Sequence, residues 1–136
     1  MARVSGAAAP GERREAGRRA EALAADFLVR AGYEILDRNH AVRRGEVDLV
    51  AREKGVLCFV EVRSRTSRAQ GGPEETVGRG KARRVIAAAT DWAVRNGGLA
   101  QDIRFDVVAV TLAEGAEPEL VLFRGAFDAD GKPGIW

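Results

Sequence analysis

The stretch Gly45-Glu46-Val47-Asp48-Leu49-Val50-Ala51-Arg52-Glu53-Lys54-Gly55-Val56-Leu57-Cys58-Phe59-Val60-Glu61-Val62-Arg63-Ser64-Arg65 decides the fold. Its first half alternates, with Val47, Leu49 and Ala51 expected on one face and Glu46, Asp48, Val50 and Arg52 on the other, the period of a strand. Its second half, Val56 to Arg63, is β-branched and aromatic. Lys54-Gly55 between them has the chemistry of a two-residue turn, which predicts a β-hairpin. A turn centred there sets Glu53 opposite Val56, so paired residue numbers sum to 109. Asp48 then faces Glu61 and Glu46 faces Arg63.

Upstream, Ala20, Leu23, Ala24, Phe27, Leu28 and Ala31 recur at helical offsets, which predicts a helix over Glu12 to Ala31 ended by Gly32. Tyr33 to His40 reads as an irregular strand and Arg43-Arg44-Gly45 as a turn. Downstream come a polar loop from Ser64 to Gly72 and a helix from Gly80 to Asn96. Strands follow at Ile103 to Leu112 and Leu120 to Phe123. The order α-β-β-β-α-β-β predicts an α/β fold with a mixed central sheet flanked by helices. One domain is expected over residues 11–127, between a disordered N-terminal tail at 1–10 and a loose C-terminal tail at 128–136.

Composition narrows the chemistry. With 46% hydrophobic residues the chain has material for a core, and with 31% charged residues it is too polar for a membrane protein. No stretch approaches the roughly 20 apolar residues of a spanning helix, and no apolar h-region follows the early arginine. A single cysteine, Cys58, excludes an internal disulfide and a Cys-rich zinc site, and a reducing, cytoplasmic setting is expected. A single histidine, His40, argues against a multi-histidine metal site or a Ser-His-Asp triad. Chemistry must therefore run on carboxylates, lysine and arginine. The net charge is only +2, yet Arg63 to Arg84 holds seven basic residues against two acidic ones, which suggests a local anionic partner.

The acids stand out by position. Glu46, Asp48 and Glu61 interrupt strands that otherwise read as core, and buried acids must be paired or hold a metal. Asp48 and Glu61 about 5 Å apart repel by roughly 3 kcal/mol at an effective dielectric near 20. Two readings follow from the residues alone. Asp48, Glu61 and the backbone carbonyl of Val62 hold Mg2+ or Mn2+, the ions that oxygen-only ligands favour. Alternatively, the acids pair with Arg43, Arg44 and Arg65. Gly78-Arg79-Gly80-Lys81 is not a phosphate-binding P-loop, because Glu75 and Ala82 stand where the motif needs Gly and Ser or Thr. It reads instead as a helix N-terminus whose free N–H groups suit phosphate. His40 is read as structural, Trp92 as helix packing and Cys58 as inert core.

The runs Gly45–Val50 and Phe59–Arg65 are joined by Gly72-Pro73, Lys81 and Arg104-Phe105-Asp106-Val107-Val108. Gly17, Glu21, Gly32-Tyr33 and Arg38-Asn39 complete the set, which resembles the YraN family of small bacterial proteins from Gly17 to Phe127. That family is similar to the PD-(D/E)XK nucleases, which include restriction enzymes and archaeal Holliday-junction resolvases. The resemblance implies a restriction-endonuclease-like α-β-β-β-α-β core and metal-dependent hydrolysis of phosphodiester bonds, with DNA as the expected partner. It places Asp48 and Glu61 at the motif's Asp and Glu, with Glu21 as a further metal ligand. Resolvase-like members act as dimers, so the resemblance also allows a homodimer. Arg63 departs from the pattern, which usually has lysine. Arginine stays charged and cannot act as a base, so a nucleic-acid-binding module with little or no turnover is the alternative. A plain interaction protein with structural acids is the third reading. Arg65, Arg68, Arg79, Lys81, Arg83 and Arg84 are expected to surround the acids and meet phosphates.

Overall fold

The computed structural model describes residues 10–66 and 78–132. Residues 1–9 of the tail expected at 1–10, Arg68, the Gly72-Pro73 step and residues 133–136 lie outside the described residues, as does the side chain of Arg79, while Pro10 begins a helix. The elements are α1 (Pro10–Arg30), β1 (Glu34–Val42), β2 (Gly45–Glu53), β3 (Val56–Arg65), α2 (Arg79–Arg95), β4 (Ile103–Thr111) and β5 (Glu119–Phe127). The five strands form one sheet in sequence order. β3 and β4 are parallel and every other neighbour is antiparallel, so the sheet is mixed and α2 is the crossover that parallel pairing demands.

Local chemistry sets the boundaries. Gly32, at φ 101°, ends α1, with the Tyr33 N–H donating to the Leu28 carbonyl at 2.9 Å. Gly97, at φ 102°, does the same for α2, with the Gly98 N–H on the Ala93 carbonyl at 2.7 Å. Lys54 and Gly55 both hold positive φ, the conformation a two-residue hairpin turn requires. Glu53 then faces Val56, and the expected register runs through to Leu49 opposite Val60. Residues 128–132 close a turn in which the Asp128 N–H donates to the Lys132 carbonyl at 2.9 Å, and Gly131 is buried near Ala82.

Two apolar layers sandwich the sheet. On one face Ala20, Ala24, Ala25 and Leu28 of α1 meet Leu49, Ala51, Cys58, Val60, Val108 and Val110. On the other, Ala82, Val85, Ala88, Ala89, Trp92 and Ala93 of α2 meet Val47, Val50, Leu57, Phe59, Phe105 and Val107. Trp92 packs edge-on against Phe59, with ring centroids 6.0 Å apart, and its indole N–H donates to Asp37 at 2.9 Å.

The two layers correct the simple alternation expected of β2. Val47 and Val50 share the α2 face, while Leu49 and Ala51 share the α1 face. The strand therefore changes face at Asp48. In β1 the matching break is Asn39, which adopts φ 52° between Arg38, opposite Leu49, and His40, opposite Val47. One left-handed residue in β1 and a face change in β2 kink the hairpin at the level of the acid.

A buried ionic network joins the other end of the sheet. Asp106, fully buried, accepts hydrogen bonds from Tyr33 at 2.8 Å, Arg104 at 2.8 Å and the Gly125 N–H at 2.9 Å. Arg104 also reaches Glu53 at 2.7 Å, and Arg124 grips the same carboxylate with two bonds of 2.9 and 2.6 Å. These arginines, Arg124 foremost, hold the Glu53 carboxyl down to about 2. Every acid here has its partners, which is what burial requires.

Candidate metal and nucleic-acid site

β2 carries Asp48 at its kink and β3 carries Glu61 one residue beyond the last paired position, Val60. The ladder between the two strands stops there because β2 turns away at Asp48. The Asp48 side chain fills the gap, with its Oδ2 accepting the Val62 N–H at 2.8 Å. Within an extended residue the N–H and C=O point to the same edge, so the Val62 carbonyl also faces Asp48.

Glu61 is 1% exposed and takes the parity of Leu57 and Phe59, toward α2. Its Oε2 lies 2.9 Å from the Lys81 Nζ, while its Oε1 is buried without any hydrogen-bond donor. The Asp48 carboxyl is within hydrogen-bonding reach of Glu61. Burial first, then the Asp48 carboxylate, push the Glu61 carboxyl up to about 8, against the opposing pull of Lys81. Two carboxylates thus lie within reach of each other with one lysine on Glu61, an arrangement short of one positive charge or one proton.

The other expected site residues fall as follows. Glu21, half-buried on α1, stands in the field of Asp48 and Glu46 and accepts a hydrogen bond from the Asn39 side chain; burial, then Asp48, raises its carboxyl. Among the described residues no three His, Cys, Asp or Glu side chains converge as a metal cage, so the expected ligand set of Glu21, Asp48 and Glu61 is not brought together and Glu21 stands beside the acid pair. The expected Glu46–Arg63 cross-strand pair does not form. The kink removes Glu46 from β3, so it pairs with Ala41 of β1, while Arg63 lies opposite Ala109 of β4. Arg65 donates to the Thr111 hydroxyl at 3.1 Å, which ties it along β4. Arg83 and Arg84 are exposed on α2. Cys58 is buried with its thiol pushed up to about 12, and His40 contacts Asp91 at 2.9 Å; both are structural.

The sequence points Lys81 at phosphate, whereas in the fold it sits on Glu61. No spacing rule relates a strand residue to one twenty positions later on a helix. Gly45 supplies the missing link. A Cβ built there would sit 1.9 Å from the Arg84 carbonyl oxygen, so the backbone of α2 rests on β2 at that glycine. That seat presents Lys81 to Glu61. A separate cleft of about 460 Å3, walled by Phe59, Ile86, Phe105 and Phe127, holds none of the candidate residues.

The acid pair and its setting fit a divalent cation. The orphaned Glu61 oxygen, the second Asp48 oxygen and the Val62 carbonyl offer only oxygen donors, the set that suits Mg2+ or Mn2+.

The model of the uncharacterised protein family UPF0102 matches residues 20–110, which contain Glu21, Asp48, Glu61 and Lys81. Relatives agree over nearly the whole length. A UPF0102 protein of Anaeromyxobacter sp. (strain Fw109-5) is 75% identical over 126 residues, covering 93% of this chain and 94% of its own. Another from Rhodococcus jostii (strain RHA1) is 43% identical, covering 82% and 94%. A third, from Myxococcus xanthus (strain DK1622), is 40% identical, covering 90% and 96%. The chain belongs to the UPF0102 family, which is the YraN family its motifs resemble.

Proposed function

We propose that this protein binds nucleic acid, DNA in the first instance, and hydrolyses its phosphodiester bonds with Mg2+ or Mn2+ held by Asp48 and Glu61. The observation that carries the reading is the buried, donorless Oε1 of Glu61, a carboxyl within hydrogen-bonding reach of Asp48. A purely structural acid pair satisfies its oxygens, as Glu53 and Asp106 do at the other end of the same sheet.

A bound cation supplies charge neutralisation at a phosphate oxygen. The chain's own groups do the rest. Asp48 is oriented by the Val62 N–H, so its free oxygen points at the site. Lys81 holds Glu61 in position at 2.9 Å and places an ammonium where a phosphate approaches. Lys81 thereby stands close to the role of the lysine that similar nucleases carry two residues after the motif's Glu, while Arg63 contributes only fixed charge. That substitution favours a second reading, in which the same surface binds nucleic acid and turns it over slowly or not at all.

The test is calorimetry with Mn2+ on the wild type and Asp48→Asn, alongside cleavage of DNA substrates with and without chelator. The expected result is Mn2+ binding weakened at least tenfold by Asp48→Asn, with the fold intact, and cleavage that both the variant and the chelator abolish. Equal Mn2+ affinity in the two proteins rejects the metal site. Binding of DNA without cleavage selects the second reading.

A further inference from the structure

We infer that Arg43 and Arg44, on the β1–β2 turn, join Arg83 and Arg84 of α2 in one basic ridge that holds the phosphate backbone of a nucleic-acid strand beside the acid pair. This rests on the proposed function and adds to it the surface that sets where the strand lies.

The ridge is built by contact between two elements. Arg43 and Arg44 immediately precede Gly45, and the Gly45 backbone abuts the backbone of Arg84, with a virtual Cβ 1.9 Å from its carbonyl oxygen. Side chains about 40 positions apart in sequence therefore leave neighbouring points of the surface. All four arginines are exposed. None forms an ion pair or side-chain hydrogen bond among the described residues, whereas Arg18, Arg30, Arg95, Arg104 and Arg124 each hold a carboxylate. Four arginines leaving neighbouring points of the surface, none ion-paired among the described residues, repel one another, and an anion relieves that repulsion.

Position names the anion. Asp48 follows Gly45 by three residues of β2, or about 10 Å along a strand. On α2, Lys81 precedes Arg83 by two residues and touches Glu61. The ridge therefore flanks the acid pair at a distance matching about three nucleotides of axial rise. A lone phosphate fills one guanidinium pair; only a repeating phosphodiester chain meets the ridge and the acids together. Arg65, engaged with Thr111, is a lesser contributor than the turn arginines.

Filter binding of the full-length chain to single-stranded and duplex oligonucleotides, across salt concentrations, tests this. Arg43→Gln/Arg44→Gln is compared with wild type and with Arg14→Gln/Arg19→Gln, an equal charge change on exposed positions of α1. The ridge predicts at least tenfold weaker binding at fixed salt for the turn variant. On duplex it also predicts a log–log salt slope flatter by about two units, near 0.9 for each phosphate no longer neutralised. The α1 control should keep both affinity and slope within twofold. Weaker binding to both oligonucleotides, or to duplex alone, supports the ridge and identifies the form it holds. Unchanged binding by the turn variant, or an equal weakening in the α1 control, overturns it while leaving the proposed function standing. Failure of the wild type to bind either oligonucleotide overturns both.

Discussion

A carboxylate with one oxygen left without a donor in a protein interior has a measurable signature. Glu61 carries its proton up to about pH 8 in the folded chain, while an ordinary glutamate releases it near 4.5. Between those values the folded state binds more protons than the unfolded state, so stability falls as pH rises. The cost of ionising Glu61 is absent below about 4.5 and complete above about 8. Glu61→Gln removes that cost, and its amide can donate to Asp48 while its oxygen accepts from Lys81. Urea unfolding should therefore show the variant and wild type nearly equal at the acid end of the window. The variant should be more stable by about 2–4 kcal/mol at pH 8, an order-of-magnitude value for a buried, partly compensated charge. A gap that stays constant or narrows with rising pH would show that Glu61 is already satisfied. Much of this is legible in the residues: an acid that directly follows Leu57-Cys58-Phe59-Val60 announces itself as misplaced, and the Lys54-Gly55 turn puts Asp48 beside it. The Lys81 contact is not legible, because it depends on the docking of a helix and leaves no trace in local periodicity.

At the level of elements, the site exists because β2 and α2 touch at a residue with no side chain. Gly45→Ala forces a Cβ to within 1.9 Å of a backbone oxygen, where no side-chain rotation brings relief, so α2 or the turn must move by more than an ångström. Overpacking of this kind costs about 1–3 kcal/mol and should lower Tm by roughly 3–12 °C. It should also loosen the Lys81–Glu61 contact and, with it, change the Mn2+ affinity in calorimetry. A variant with unaltered Tm and metal affinity would mean that the helix seat is softer than the geometry indicates. The strand arrangement itself can be read from residue patterns, including the hairpin register down to Leu49 and Val60. The face change at Asp48 cannot. It coincides with Asn39 at φ 52°, and a non-glycine residue in that conformation looks like any other polar strand residue in the sequence. The expected Glu46–Arg63 pair fails because the β2–β3 ladder ends at Leu49 and Val60.

Across the whole molecule the two ends of the sheet differ in character. One end closes on Tyr33, Glu53, Arg104, Asp106 and Arg124, with every charge matched. The other holds two crowded acids, one oxygen of Glu61 without a donor, and the exposed Arg43, Arg44, Arg83 and Arg84 form no ion pair among the described residues. Such asymmetry concentrates stability away from the site and leaves the charged groups there to respond to whatever binds. Trp92 lies on the helix that links the two functional features, seated against Phe59 and bonded to Asp37. The chain has one other tryptophan, Trp136. With Trp136→Phe, the molecule carries a single tryptophan, and its fluorescence, excited at wavelengths where Tyr33 does not absorb, describes how α2 sits on the sheet. Emission should be blue-shifted in the native protein, since the indole is 7% exposed. Adding Gly45→Ala should move that emission toward the red before global unfolding begins. An unmoved spectrum would assign the strain to the β1–β2 turn and leave α2 in place, so light from one indole tells which of two backbones yields at their point of contact.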